Sequence, residues 1–99
     1  MAHLRWFITG ASAGFGHALS LHALQAGHSV AATVRSRTKS SEAVQSLEAA
    51  GAKIIELDVT DAEAIPKSIK AAETALGGTI EVLVNNAGYS LLGAMEDML

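Results

Sequence analysis

The stretch Thr9-Gly10-Ala11-Ser12-Ala13-Gly14-Phe15-Gly16 constrains this chain more than any other. It separates a short apolar run of strand formers, Leu4 to Thr9, from a segment, Gly14 to Ala26, whose apolar residues mostly recur at helical spacing. A turn that tight between strand and helix needs residues without side chains. Gly10 is expected to make the turn, Gly14 to leave room for close approach of a ligand, and Gly16 to pack the helix onto the sheet. Backbone N–H groups then converge at a helix N-terminus, where partial positive charge accumulates and a pyrophosphate is favoured. Taken alone, the glycines also read as a mere sharp turn. Their place after a strand, at the opening of a helix and inside a βαβ unit favours the anion seat. No Gly-Lys-Ser/Thr is present, so a loop for nucleoside triphosphates is unsupported.

Downstream the pattern repeats. Ser29 to Val34 reads as a second strand, Ser41 to Ala50 as a second helix with Val44 and Leu47 inward, and Lys53 to Leu57 as a third strand. Gly27 and Gly51 stand where the two helices would close. Thr60 and Glu63 have the spacing of a capping box, and Pro66 would remove a hydrogen bond inside a continuous helix. That predicts a short turn at 61–64 and a helix from about Pro66 to Leu76, ended by Gly77-Gly78. Ile80 to Val84 gives a fourth apolar strand running into Asn85-Asn86-Ala87-Gly88. Strands alternating with helices imply an α/β fold with a parallel sheet covered on both faces. Near-continuous apolar strands agree, because strands buried on both sides lose polar alternation. Ninety-nine residues suffice for one such domain and not for two.

Composition removes several function classes. An apolar fraction of 49% with 17% charged residues describes a packed chain. A net charge of −3 without any Lys/Arg run argues against nucleic acid or an anionic membrane surface as partner. With no cysteine, neither a disulfide framework nor a thiolate metal site can form. The four histidines show no HxH or HExxH pairing and are read as surface or interhelical residues, so no metal site is expected; Trp6 is read as core. There is neither the apolar core of a signal peptide nor a membrane-length apolar run, and a cytoplasmic protein is expected.

The end of the second strand decides which ligand an anion seat of this kind serves, because that position meets the adenosine ribose of a dinucleotide. A carboxylate there would accept from a 2′-hydroxyl and repel a 2′-phosphate. Here the residues are Thr33-Val34-Arg35-Ser36-Arg37, with no acid. A guanidinium grips phosphate bidentately, so NADP(H) is favoured over NAD(H), and a methyltransferase is disfavoured for the same reason. A charge-assisted contact of roughly 1.5–3 kcal/mol from Arg35 corresponds to about a ten- to hundredfold preference. Both arginines also read as solvated loop cations, Arg37 more than Arg35.

At this point three motifs resemble the short-chain dehydrogenase/reductase family and together cover nearly the whole chain. Thr9 to Gly16 resembles its TGxxxGxG loop, Leu57-Asp58-Val59-Thr60 the segment after its third strand, and Asn85-Asn86-Ala87-Gly88 its NNAG motif. The resemblance implies a Rossmann-type, doubly wound parallel sheet, of which residues 1–99 would be the NAD(P)-binding N-terminal βαβαβαβ part, with strand order 3-2-1-4 and truncated. It further implies that Ser12 and Phe15 lie along the diphosphate and nicotinamide side of the loop. Asp58 and Val59 would flank adenine, and Asn85, Ala87 and Gly88 would support the adenosine ribose and the central sheet. The residues themselves also admit Asp58 as a turn or cap residue and the asparagines as partners of buried backbone groups. Ala13 departs from the family, many of whose NADP-dependent members carry a basic or hydroxyl residue there, which weakens the choice of NADP(H).

The implied activity is hydride transfer between NADPH and a small-molecule carbonyl or alcohol. The family performs it with a Tyr acid/base, a Lys four residues later, a Ser and an Asn from the fourth helix. The sole tyrosine, Tyr89, has Gly93 four residues on and follows the NNAG loop directly, so it is rejected as the acid/base. No catalytic residue is assigned. The centre is expected beyond Leu99, one turn into what looks like a fourth helix (Ala94 to Leu99), and the 99 residues are expected to be inactive alone. The alternative is a non-catalytic NADP(H)-binding or sensing module acting through a partner. Either way, an unpaired apolar fourth strand is expected to promote self-association.

Overall fold

Strand β1 (Arg5–Ile8) leads through the glycine loop into helix α1 (Gly14–Gln25), and β2 (Ser29–Val34) and α2 (Ser41–Ala49) follow. Next come β3 (Lys53–Glu56), α3 (Ala64–Leu76) and β4 (Val82–Val84). The computed structural model describes residues 3–86; Ala87, Gly88, Tyr89 and the anticipated fourth helix lie outside them. All strands are parallel in one sheet of order β3-β2-β1-β4, so the fold is the Rossmann-type α/β arrangement anticipated from the motifs. Phe7 stands opposite Ala31 and Leu83, and Ile8 opposite Ala32 and Val84.

Because side chains alternate along a strand, β1 and β2 feed two cores. Ile8, Val30 and Ala32 join Ala23 of α1 and Leu47 of α2 on one face. Phe7 and Ala31 meet Leu57 and Ala72 of α3 on the other. Full burial of Phe7 and Ile8 contributes about 1.5–3 kcal/mol each. Edge strand β3 keeps Lys53 and Glu56 in solvent.

Helix α1 turns a face of small residues to the sheet: Gly16, Ser20 and Ala23 are buried. Of the apolar positions that marked this helix in the sequence, Phe15, Ala18 and Ala26 are exposed, while Leu19, Leu21 and Leu24 are half-buried at the flanks. Ser20 is tolerated in the core because its hydroxyl donates to the Gly16 carbonyl at 2.7 Å. Helix α2 buries Val44 and Leu47, as expected.

Helix α3 corrects the sequence reading. It begins at Ala64, two residues before Pro66, and no capping box forms. Pro66 is the third helical residue, within the first turn, whose N–H groups have no intrahelical acceptor, so its missing donor removes nothing. The Thr60 hydroxyl is engaged elsewhere, as described below, and the Asp61 carboxylate instead accepts from the Glu63 N–H at 3.2 Å. Gly77 closes the helix in a left-handed conformation, φ 79°. Strand β4 starts at Val82 rather than Ile80, since the Ile80 N–H donates to the Glu73 carboxylate at 3.0 Å and so leaves the ladder.

Two histidines pin the amino edge of the sheet. His3 contacts the Gly27 carbonyl at 2.8 Å and the Ser29 hydroxyl at 2.7 Å, and His28 Nδ1 accepts from the Leu4 N–H at 3.0 Å. Among the described residues no helix is long and apolar enough to cross a membrane, and no cluster of three metal-ligating side chains occurs.

Candidate functional site

The carboxyl ends of the strands gather on one edge of the sheet. The chain leaves β1 toward β2 on one side and returns as β4 on the other, and such a switch in strand order opens a crevice there. Four backbone segments border it: the glycine loop after β1, residues 35–40 after β2, residues 57–60 after β3, and the asparagines after β4.

The loop is held by its backbone. Thr9 N–H donates to the Val84 carbonyl at 3.0 Å and Ala11 N–H to the Thr33 carbonyl at 2.9 Å, so both neighbouring strands fix its path. Gly10 and Gly14 adopt positive φ, 64° and 60°, which only glycine takes at little cost. A Cβ on Gly14 would meet nothing within 4 Å, leaving open space above the loop. Gly16 lies on the buried face of α1, where its missing side chain lets the helix start sit close against the strand ends. A Cβ there would overlap the Gly10 carbonyl oxygen and crowd the Asn86 amide, so the glycine lets the helix start fold back over its own loop. Asn86 Nδ2 donates to that same carbonyl at 3.2 Å. The sequence reading passed over Asn86 as a site residue, although its place in the asparagine pair was the available signal. Asn85 accepts from the Thr9 hydroxyl at 3.3 Å, tying β4 to β1.

Ala13 precedes α1 in extended conformation, and no side chain caps the helix among the described residues. The first N–H groups of α1 therefore face the crevice region unpaired within the helix, the arrangement that favours an anion. Phe15, 64% exposed, stands beside them.

Gly10, Ser12, Arg35, Asp58 and Val59 line one cavity of about 150 Å³, together with Leu57 and Thr60. Five residues picked from three separate stretches of the sequence thus line one cavity. Gly14, Phe15, Gly16 and Asn85 lie outside that cavity, at the start of α1 and the end of β4.

Asp58 takes the turn geometry that its residue type allowed. Its Oδ1 accepts from the Thr60 hydroxyl at 2.6 Å and the Thr60 N–H at 2.9 Å, and Oδ2 faces Arg35 Nη2 at 3.8 Å. The Thr60 hydroxyl, then its N–H, and lastly the Arg35 charge hold the Asp58 carboxyl below its usual pKa, with slight desolvation opposing. Arg35 is otherwise free, its side chain 83% exposed at the cavity mouth. Arg37 is committed elsewhere. Its guanidinium pairs with Glu48 at 3.0 Å and its N–H donates to Glu56 at 2.8 Å, which agrees with its reading as a loop cation.

A parallel sheet of this order with a glycine-rich turn at its switch point is the architecture on which dinucleotide-binding folds are built. The model of the short chain dehydrogenase family matches residues 5–99, and the chain belongs to that family. It is 38% identical over 93 residues to the oxidoreductase BOA17 of Botryotinia fuckeliana (strain B05.10), covering 94% of this chain and 34% of that one. A short-chain dehydrogenase from Streptomyces avermitilis superposes with TM-score 0.74 at 40% identity, over 86% of this chain and 31% of the other. A metagenomic short-chain oxidoreductase solved in complex with NADP superposes with TM-score 0.72 at 32% identity, over 86% and 39%. The chain spans about a third of the length of such relatives.

Proposed function

We propose that the crevice binds a nicotinamide dinucleotide, NADP(H) in preference to NAD(H), as the cofactor of hydride transfer between NADPH and a carbonyl or alcohol. Residues 1–99 serve as the cofactor-binding part. The linked phosphates rest on the backbone of Gly10, Ser12, Gly14 and Gly16 at the start of α1, where the space left by the missing Gly14 side chain and the uncapped helix both suit an anion. Adenine lies in the cavity walled by Asp58 and Val59, and Phe15 borders the nicotinamide side. Asn85, with Ala87 and Gly88 beyond it, supports the ribose and the sheet. The bound dinucleotide supplies the hydride; the side chains named here orient it. With Tyr89 followed by Gly93, these 99 residues carry no Tyr-xxx-Lys pair and hold cofactor without turning it over.

The observation that carries the choice of NADP(H) is the exposed guanidinium of Arg35 at the cavity mouth, held only by a long 3.8 Å ion pair with Asp58, at the end of a strand that bears no carboxylate. The relative solved with NADP supports the same reading. Arg35→Ala is expected to erase most of the preference, roughly tenfold, because an exposed cation works at the lower end of the range for charge-assisted contacts. Calorimetric titration of both variants with NADP⁺ and NAD⁺ measures it. An unchanged ratio of affinities refutes the assignment.

A further inference from the structure

A phosphate monoester near neutral pH carries close to two negative charges, and Arg35 supplies one positive charge. The second arginine of the loop is spoken for, since Arg37 is bound to Glu48 and Glu56. Lys39 is differently placed. A cavity of about 560 Å³ is lined by Arg35, Ser36, Lys39 and Ser40. A neighbouring groove of about 700 Å³ between the starts of α1 and α2 is lined by Ser12, Ala13 and His17 on one side and again by Lys39 and Ser40 on the other. Arg35 and Ser12 also line the smaller cavity assigned above to adenosine. The three spaces therefore share their walls, and Lys39 stands where the outer two meet.

The local backbone keeps Lys39 there. Its N–H donates to the Ser36 hydroxyl at 3.2 Å, and the Ser40 N–H donates to the Ser36 carbonyl at 3.1 Å, closing the loop into a turn. Among the described residues no carboxylate lies within ion-pair distance of its ammonium group, although Glu42 lines the same groove. Across the groove the glycine loop contributes Ser12 and Ala13, and Ala13 offers only a methyl group, so the loop places no cation there.

We propose that Lys39 is the second cation of the 2′-phosphate subsite, facing Arg35 across it, and that Arg37 takes no part in cofactor choice. This rests on the reading that the crevice takes NADP(H). Lys39 determines specificity by contact with the phosphate and leaves the shared adenosine contacts untouched.

The test uses the 99-residue chain and calorimetric titration with NADP⁺, NAD⁺, and the fragments 2′,5′-ADP and 5′-AMP. Lys39→Gln is expected to weaken NADP⁺ and 2′,5′-ADP about fivefold, the effect of one exposed charge pair, and to leave NAD⁺ and 5′-AMP unchanged. Lys39→Arg restores the affinity, and Arg37→Ala changes none of the four. Thermal melts matching the parent protein show that the exposed substitutions leave the fold intact. If Arg35→Ala lowers NADP⁺ affinity while Lys39→Gln does not, the role of Lys39 is overturned and the NADP(H) reading stands. Equal weakening of all four ligands by Lys39→Gln also overturns it, since the lysine would then act on the shared half. A parent protein without preference for NADP⁺ overturns both.

Discussion

Adding one methyl group at Gly16 separates the two jobs that glycine does in this loop. The Cβ of Gly16→Ala would overlap the Gly10 carbonyl oxygen and press on the Asn86 amide. The carbonyl belongs to a backbone held by the Thr9 and Ala11 hydrogen bonds to both neighbouring strands, so it cannot rotate away freely. Overpacking of a fixed site costs about 1–3 kcal/mol. Displacing Asn86 from the Gly10 carbonyl removes a hydrogen bond with a net contribution of about 0.5–1.5 kcal/mol. The sum is about 3 kcal/mol, which for a domain of this size lowers the melting midpoint by roughly 12–24 °C. Gly14→Ala serves as the contrast. Its Cβ meets nothing, and it carries only the left-handed backbone cost, about 1–2 kcal/mol. The assay is thermal unfolding by circular dichroism alongside NADP⁺ titration. Gly16→Ala should melt well below Gly14→Ala, whereas Gly14→Ala should lose ligand affinity out of proportion to its stability. Equal midpoints for the two variants would refute the assignment of Gly16 to intraprotein packing.

Two further perturbations probe other parts of the molecule. We propose that β4 promotes self-association: Leu83, 60% exposed, lies on a strand that pairs only with β1 among the described residues. The parent chain should therefore self-associate in sedimentation velocity and Leu83→Lys should reduce it; a monomeric parent or an unaltered variant would refute that role of β4. Thr60→Val deletes the hydroxyl that most depresses the Asp58 pKa, and NMR titration should show it rising toward the ordinary 3.8. The sign follows from linkage: a carboxyl with a depressed folded pKa adds stability above its unfolded value, lost as pH falls through the folded value. The parent protein should therefore lose this contribution below pH 3.8 and the variant should have less to lose, so identical acid-unfolding curves would show that the Thr60 hydroxyl bond carries no stability.

Much of the architecture was legible because strands buried on both faces announce themselves. Ser29 to Val34 was bounded to the residue, since SVAATV is apolar enough for two cores and is framed by Gly27 and Arg35. Errors arose where one residue type serves two purposes. Thr60 and Glu63 had the spacing of a cap, but a Thr two residues after an Asp can also satisfy an Asx turn, and that turn is what forms. Pro66 was read as a helix boundary when it sits inside a first turn that needs no donor. In the site, Leu57, Thr60 and Asn86 fall inside recognised motifs but were not singled out as site residues. Thr60 acts through a local turn with Asp58, whereas Asn86 reaches the Gly10 carbonyl because β4 lies beside β1, a long-range fact that the order of strands supplies and local patterning does not.

The small face of α1 links that architecture to the crevice. Gly16, Ser20 and Ala23 let the helix lie close on β1 and β2, and the large apolar residues that signalled the helix are pushed to its flanks. Close seating brings the first turn of α1 over Gly10, and the overlap that forbids a Cβ at Gly16 is the consequence. The N–H groups at the helix start are thereby held against the carboxyl edge of the sheet, within reach of the cavity at Ser12 and Arg35. A bulkier residue at Ser20 or Ala23 would lift the helix and move that whole row of donors. The third glycine of the loop and the small residues of the helix are therefore one device, and the position of the proposed anion seat depends on packing two turns away as much as on the loop itself.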